Sequence, residues 1–141
     1  MKKNLLLLTL ASLLILIASS CGTTCKMNTK KQLSSHAWEL NTINGNAPDM
    51  SQFRTGMPFL LFEKSGKLSG STGCNNMSGN FKFKKACLEL DPGAMTRMAC
   101  QGNGESQFLD ALKQVKNMKL DGDKLSLFDG TKEIMTLIPK K

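Results

Sequence analysis

The sequence has no tyrosine, one tryptophan and one histidine, and its 11 acidic residues face 19 lysines and arginines, a formal charge of +8. Few side chains are therefore suited to proton transfer near neutral pH. It also lacks a G-x-S-x-G elbow and a glycine-rich phosphate loop. His36 stands beside Ser34 and Ser35, but a triad needs a base and an orienting acid placed in space, not in sequence. The carboxylates Glu39, Asp49, Glu63, Glu89 and Asp91 are scattered. These absences argue against an enzyme. Beyond residue 17 no apolar run approaches the ~20 residues of a membrane span, which excludes a multi-span membrane protein. No internal repeat is present. With 141 residues, 40% of them apolar and 21% charged, the chain suffices for one domain and is too apolar for a disordered tail.

The N-terminus carries an address. Met1-Lys2-Lys3 is followed by thirteen residues, Leu5 to Ile17, in an apolar run, and then by Ala18-Ser19-Ser20-Cys21. This is the layout of a secretory signal, too short for an uncleaved anchor. The small residues before Cys21 resemble a bacterial lipobox, with Ala18 where leucine is common. That resemblance implies cleavage before Cys21 and several acyl chains on it, enough for stable membrane anchoring. Gly22, by analogy with enterobacterial sorting, implies the outer membrane, facing the periplasm. The chain thus divides into a signal peptide (1–20), a lipidated tether (21–33) and a domain (34–141). Losing Lys2 and Lys3 leaves 17 basic residues against 11 acidic ones, or +6. Basic charge can mean nucleic acid, but an exported domain does not meet it, and the charge reads as solvated surface. A monomer without cofactor is expected.

Four cysteines remain after Cys21, and an oxidising compartment permits their pairing in three ways. Cys74, Cys87 and Cys100 are each thirteen residues apart, without the close pairs that structural zinc uses. No metal site is expected. Cys74 and Cys100 lie in two loop-like segments and make the better pair. Cys87 shares an outward face with Glu89, where the tether's Cys25 has a route to it.

From Ser35 onward, short apolar stretches alternate with turn signals, which predicts antiparallel sheet. Strands are expected at Trp38–Thr42, Met57–Phe62, from Lys67 to Ser71, around Phe81 and Phe83, and at Cys87–Leu90 before an Asp91-Pro92-Gly93 turn. Asn103 is a candidate cap for one helix, with Glu105 in its first turn and Phe108, Leu109, Leu112 and Val115 as its apolar stripe. Three strands follow, Met118–Leu120, Lys124–Phe128 and Glu133–Ile138, split by Asp121-Gly122 and Asp129-Gly130 hairpins in which both residues need positive φ. The sum is an α+β fold, mainly antiparallel, forming a small, partly open barrel of about eight strands with one packed helix.

Two segments go beyond pattern: Gly73-Cys74-Asn75-Asn76-Met77-Ser78-Gly79, and Thr96-Arg97-Met98-Ala99-Cys100 leading into the helix. In this order, and with Trp38-Glu39-Leu40 upstream, they resemble the META domain of the HslJ-like family of bacterial lipoproteins over about residues 34–138. The resemblance implies a compact β-barrel interrupted by a helix, and a link to heat-shock expression, antibiotic tolerance and, in some lineages, secretion. It transfers no catalytic residues. The matching positions are Gly73, Cys74, Asn75, Ser78, Gly79, Thr96, Met98 and Cys100.

Physically these positions read as architecture. Gly73 and Gly79 permit backbone that a Cβ blocks, Asn75 and Ser78 bond to nearby backbone in an irregular loop, and Met98 is an adaptable apolar plug. Arg97 is the candidate binding residue, a guanidinium suited to a carboxylate or phosphate. The expected function is that of a non-catalytic envelope lipoprotein holding a lipid or hydrophobic peptide, or meeting an envelope protein. Leu60, Phe62, Phe81, Phe83 and Leu112 are candidate liners as well as candidate core. The alternative is an inhibitor of lysozyme-type hydrolases, against which the +6 charge argues.

Overall fold

The computed structural model describes residues 29–84 and 87–141. The chain divides between residues 32 and 33 into two units, and the second, Leu33–Lys141, is the folded domain considered below. The expectations for the signal peptide, Cys21 and Cys25 lie outside the described residues.

Eight strands form one antiparallel sheet: β1 Trp38–Ile43, β2 Phe59–Phe62, β3 Lys67–Ser71, β4 Asn76–Lys84, β5 Cys87–Met95, β6 Asn117–Asp121, β7 Lys124–Asp129 and β8 Lys132–Pro139. Their order is β5-β4-β3-β2-β1-β8-β7-β6. Helix α1, Gly104–Lys113, joins the two edge strands, and a 3₁₀ turn covers Met50–Gln52. The sheet curls until its edges approach, and the Leu88 N–H donates to the Lys116 carbonyl just before β6 (2.7 Å). The barrel is therefore partly open, as expected, because the edges do not zip further.

Curvature comes from register shifts. One falls in the β1–β8 pair between Leu40 and Thr42, one in the β4–β5 pair at Met77/Ser78, and one in the β7–β8 pair at Leu127/Phe128. A bulge adds a residue on one strand and bends it. The β4–β5 shift corrects the expected turn at Asp91-Pro92-Gly93, which instead lies inside β5. Proline tolerates that place because β5 is an edge strand. Gly93 (φ +63°) carries the kink, and its N–H donates to the Asp91 Oδ1 (3.0 Å).

The C-terminal hairpins form at the expected places with a different turn. Asp121 pairs with Lys124 and Asp129 with Lys132, so the loops are Gly122-Asp123 and Gly130-Thr131. Only the glycines have positive φ (+57° and +62°). Glycine first is the II′ pattern rather than the I′ pattern of Asp-Gly. Asn44-Gly45, by contrast, has both residues at positive φ (+50° and +80°) and closes on mutual Ile43–Asn46 backbone bonds.

Inward residues of every strand meet the helix in one core. Trp38, Phe62, Phe108, Leu112, Leu125 and Met135 are fully buried. Leu33, assigned by sequence to the tether, belongs to this core: it is fully buried, and its carbonyl accepts from the Trp38 indole N–H (2.9 Å). The candidate liners Leu60, Phe62, Phe81 and Leu112 are buried here too, with Phe83 half-buried against them. Phe62 and Phe81 meet edge to face at 5.0 Å. These five side chains are core packing.

Gly79 makes the sheet's closest backbone approach. A Cβ placed there would lie 1.9 Å from the Asp91 carbonyl oxygen and 2.6 Å from the Pro92 carbonyl carbon, both backbone atoms of β5. Gly79→Ala should therefore destabilise the domain by about 3 kcal/mol. Gly122→Ala, which meets nothing within 4 Å, should cost only about 1 kcal/mol for its positive φ. Urea unfolding of the two variants checks the contrast.

Candidate functional site

The β3–β4 connection is short and, unusually for a loop, buried. Ser71, Thr72, Cys74 and Asn75 are each at most 8% exposed. Buried backbone and side-chain polar groups must find partners inside the protein. Part of the solution is local. The Thr72 N–H donates to the Asn75 carbonyl (2.8 Å), and the Asn75 N–H donates to the Thr72 Oγ1 (2.8 Å). Gly73 turns the loop at φ +84°, with Phe53 packed where its Cβ would be. The Gly73 carbonyl accepts from the Thr55 N–H (2.9 Å).

The rest comes from two distant segments. The Asn75 Oδ1 accepts from the Thr96 hydroxyl (2.8 Å) and from the Met98 N–H (2.7 Å). Its Nδ2 donates toward the Met98 carbonyl (3.2 Å) and toward the Glu105 carboxylate (3.0 and 3.2 Å). Glu105, from the first turn of α1, also accepts from the Thr72 hydroxyl (2.5 Å). A primary amide offers two donors and two acceptor lone pairs, and Asn75 uses all four. The Cys74–Cys100 disulfide, with Cα atoms 6.0 Å apart, fastens the same two loops a few residues away. The β3–β4 loop, the β5–α1 loop and the start of α1 are thus joined by one clamp, buried at the β3–β4 loop and half-buried where Cys100 and Glu105 join it.

Of the residues singled out in the sequence, Cys74, Cys100, Asn75, Thr96 and Gly73 meet in this clamp. Met98 joins it through its backbone only. Its side chain is 51% exposed, so it is no plug. Ser78 is exposed and Gly79 buried in strand β4, not in an irregular loop. Arg97 is exposed, outside the clamp. Thr72 and Glu105 are partners that the motif did not assign. Glu105 precedes Phe108 and Leu112 at helical spacing, so it continues the buried stripe; an acid on such a stripe was the available signal. Asn103 does begin the helix, but its side chain makes no capping bond.

Two clefts flank the clamp. One, of about 570 Å³, is lined by residues that include Pro48, Asp49, Phe53, Gly102 and Gln107. The other, of about 520 Å³, is lined by Ser51, Arg54, Ala99 and Gln101. Gln52 stands at the first cleft and accepts through its Oε1 from the Asn103 N–H (3.3 Å). Asp49 starts the 3₁₀ turn, and its carboxyl is held below its ordinary value of 3.8 by the Ser51 hydroxyl and then by the Ser51 N–H. Protonating Asp49 in acid loosens this turn. On the sheet, Glu89 is likewise lowered, first by its hydrogen bond from Lys82.

His36 sits elsewhere. Its Nδ1 lies 2.9 Å from the Ser35 Oγ, but its buried Nε2 has no partner, so no carboxylate orients it. Among the described residues no group of three or more His, Cys, Asp or Glu side chains is placed to hold a metal.

A partly open antiparallel barrel with a helix between its edge strands, and two loops clamped by a disulfide and an asparagine, defines a small all-antiparallel scaffold with its distinctive residues in loops. The META domain model matches residues 31–141, and the chain belongs to the META-domain family. A protein solved by NMR is similar at 26% identity, with a TM-score of 0.60 over 78% of this chain and 93% of that one. A DUF4847 family protein from Bacteroides vulgatus shares the fold at 14% identity (TM-score 0.61; 80% of this chain, 98% of that one). A Burkholderia xenovorans protein shares it at 22% identity (TM-score 0.60; 81% and 88%). No curated protein matches.

Asn75→Asp places a second carboxylate against Glu105 and removes both amide donors. It should cost about 3–5 kcal/mol at neutral pH. Adding Glu105→Gln should restore about 1–2 kcal/mol of that, a coupling readable in a double-mutant cycle by urea unfolding. Replacing Cys74 and Cys100 together by alanine should cost about 3 kcal/mol for the 26-residue separation they span.

Proposed function

We propose that the protein is a non-catalytic binding module of the bacterial envelope, anchored through Cys21 and serving stress or antibiotic tolerance by engaging an envelope partner at the rim of its clamped loops. One observation carries this reading: the distinctive polar groups of the family segments are spent on each other. Asn75 has no free donor or acceptor, and Glu105 accepts from two neighbours. Groups so occupied hold a backbone in place; they do not turn over a substrate. The core position of the candidate liners shifts binding from the barrel interior to its surface.

The test is complementation. In a strain lacking the gene, His36→Ala and Cys87→Ser variants present at normal abundance should restore heat and antibiotic survival to the wild-type level. Loss of survival with either of them, at unchanged abundance, assigns that side chain a chemical role and overturns the reading. In a peptidoglycan-lysis assay the purified protein should give no dose-dependent protection against lysozyme; protection would favour the inhibitor.

A further inference from the structure

We propose that the cleft between the 3₁₀ turn and the disulfide loop is a docking groove for an acidic, apolar-bearing segment of a partner protein. This rests on the binding-module reading and gives it a place and a ligand chemistry. The groove is the one lined by Ser51, Arg54, Ala99 and Gln101. None of its lining residues is an acid. The six ion pairs among the described residues all use lysines, and leave Arg54 and Arg97 outside them. Arg54 lies in the cleft wall and Arg97 two residues before Ala99, so both stand within ~7 Å of the wall along the backbone. A planar guanidinium suits a carboxylate.

The second argument is apolar. Four large hydrophobic side chains are exposed among the described residues, and two of them, Met50 and Met98, belong to the 3₁₀ turn and the disulfide loop, with a third, Met95, at the end of β5. Met50 (68% exposed) precedes Ser51, and Met98 (51% exposed) precedes Ala99, so a methionine stands one residue from the lining on each wall. Flexible thioethers suit surfaces that adapt to peptide side chains. The combination of methionines with unpaired arginines around a concave site matches a segment carrying carboxylates and apolar groups.

The third argument is rigidity. The Met98 backbone is fixed at both its N–H and its carbonyl by Asn75, Cys100 is tied to Cys74, and the opposite wall is held by the Asp49–Ser51 bond (2.9 Å). A groove already ordered loses little entropy on binding. The clamp thereby acquires a purpose: it positions the methionine and arginine side chains it does not itself use. A protein segment is favoured over an anionic bilayer because the site is a cleft of about 520 Å³ rather than a flat face, and a chain enters a cleft where a planar headgroup surface does not.

The experiment uses the full-length protein in cells, with a benzophenone amino acid replacing Met50 or Met98, and Lys132 as the control position. Mass spectrometry should find adducts at 50 and 98, not at 132, on protein segments bearing aspartate or glutamate beside apolar residues. A synthetic, end-capped peptide of the trapped segment should bind the unsubstituted protein. Its affinity should fall about fivefold with Arg54→Gln plus Arg97→Gln, fall with Asp/Glu→Asn/Gln in the peptide, and stay unchanged with Lys64→Gln plus Lys132→Gln. Adducts on phospholipid, adducts on basic segments, no adducts above the control, or indifference to the arginines would each overturn the groove. Those results leave the complementation test untouched, so the two ideas fail separately.

Discussion

Burying a hairpin loop is the constraint from which the rest of this domain follows. Once the β3–β4 connection lies under the helix, water no longer satisfies its polar groups, and each unmatched one costs about 1–3 kcal/mol. Asn75 meets that demand with a side chain whose two donors and two acceptors are spread over the β5–α1 loop and Glu105. The loop, the crossover segment and the helix start therefore have one relative arrangement. The disulfide reinforces an arrangement the amide already specifies, acting mainly on the unfolded chain.

The helix is held at its start and along its length by different means. At its start Glu105 reaches the clamp, while Gly104 lets Gln52 and Phe53 press close. Along its length Phe108, Ala111 and Leu112 join the barrel core. The helix connects the two edge strands and turns its apolar face into the core, and one backbone bond from Leu88 to Lys116 marks where the edges meet. A filled interior follows from this, and with it a protein whose free surfaces lie on loops.

Much of this was legible in the amino-acid sequence, because alternation and turn residues are local. The number of strands and their places along the chain, the helix stripe and the Cys74–Cys100 pairing all came from such signals. What escaped was decided by tertiary placement. Asp91-Pro92-Gly93 reads as a turn by composition, but at a sheet edge it stays in strand β5, with the register shifting only after Gly93. Met98 reads as a core plug by hydrophobicity, yet only its backbone faces Asn75. Glu105 reads as a helix-start acid; its partners Thr72 and Asn75 lie about thirty residues upstream, at a distance no periodicity spans. Leu33 reads as the end of a polar tether by its neighbours; in the fold it is buried, with its carbonyl on the Trp38 indole five residues on.

The position of β8 has a consequence for how the chain acquires its form. Although β8 comes last, it lies in the interior of the sheet, between β1 and β7. Until residues 132–139 emerge, β1 has one bare side and the β6–β7 ribbon has nothing to join, so the two halves of the sheet are separate pieces. A ribosome that stops early, or a protease that trims the tail, removes a keystone rather than a fringe. Full length is thereby proofread by the topology itself, and a chain short by one strand cannot pass for a finished one.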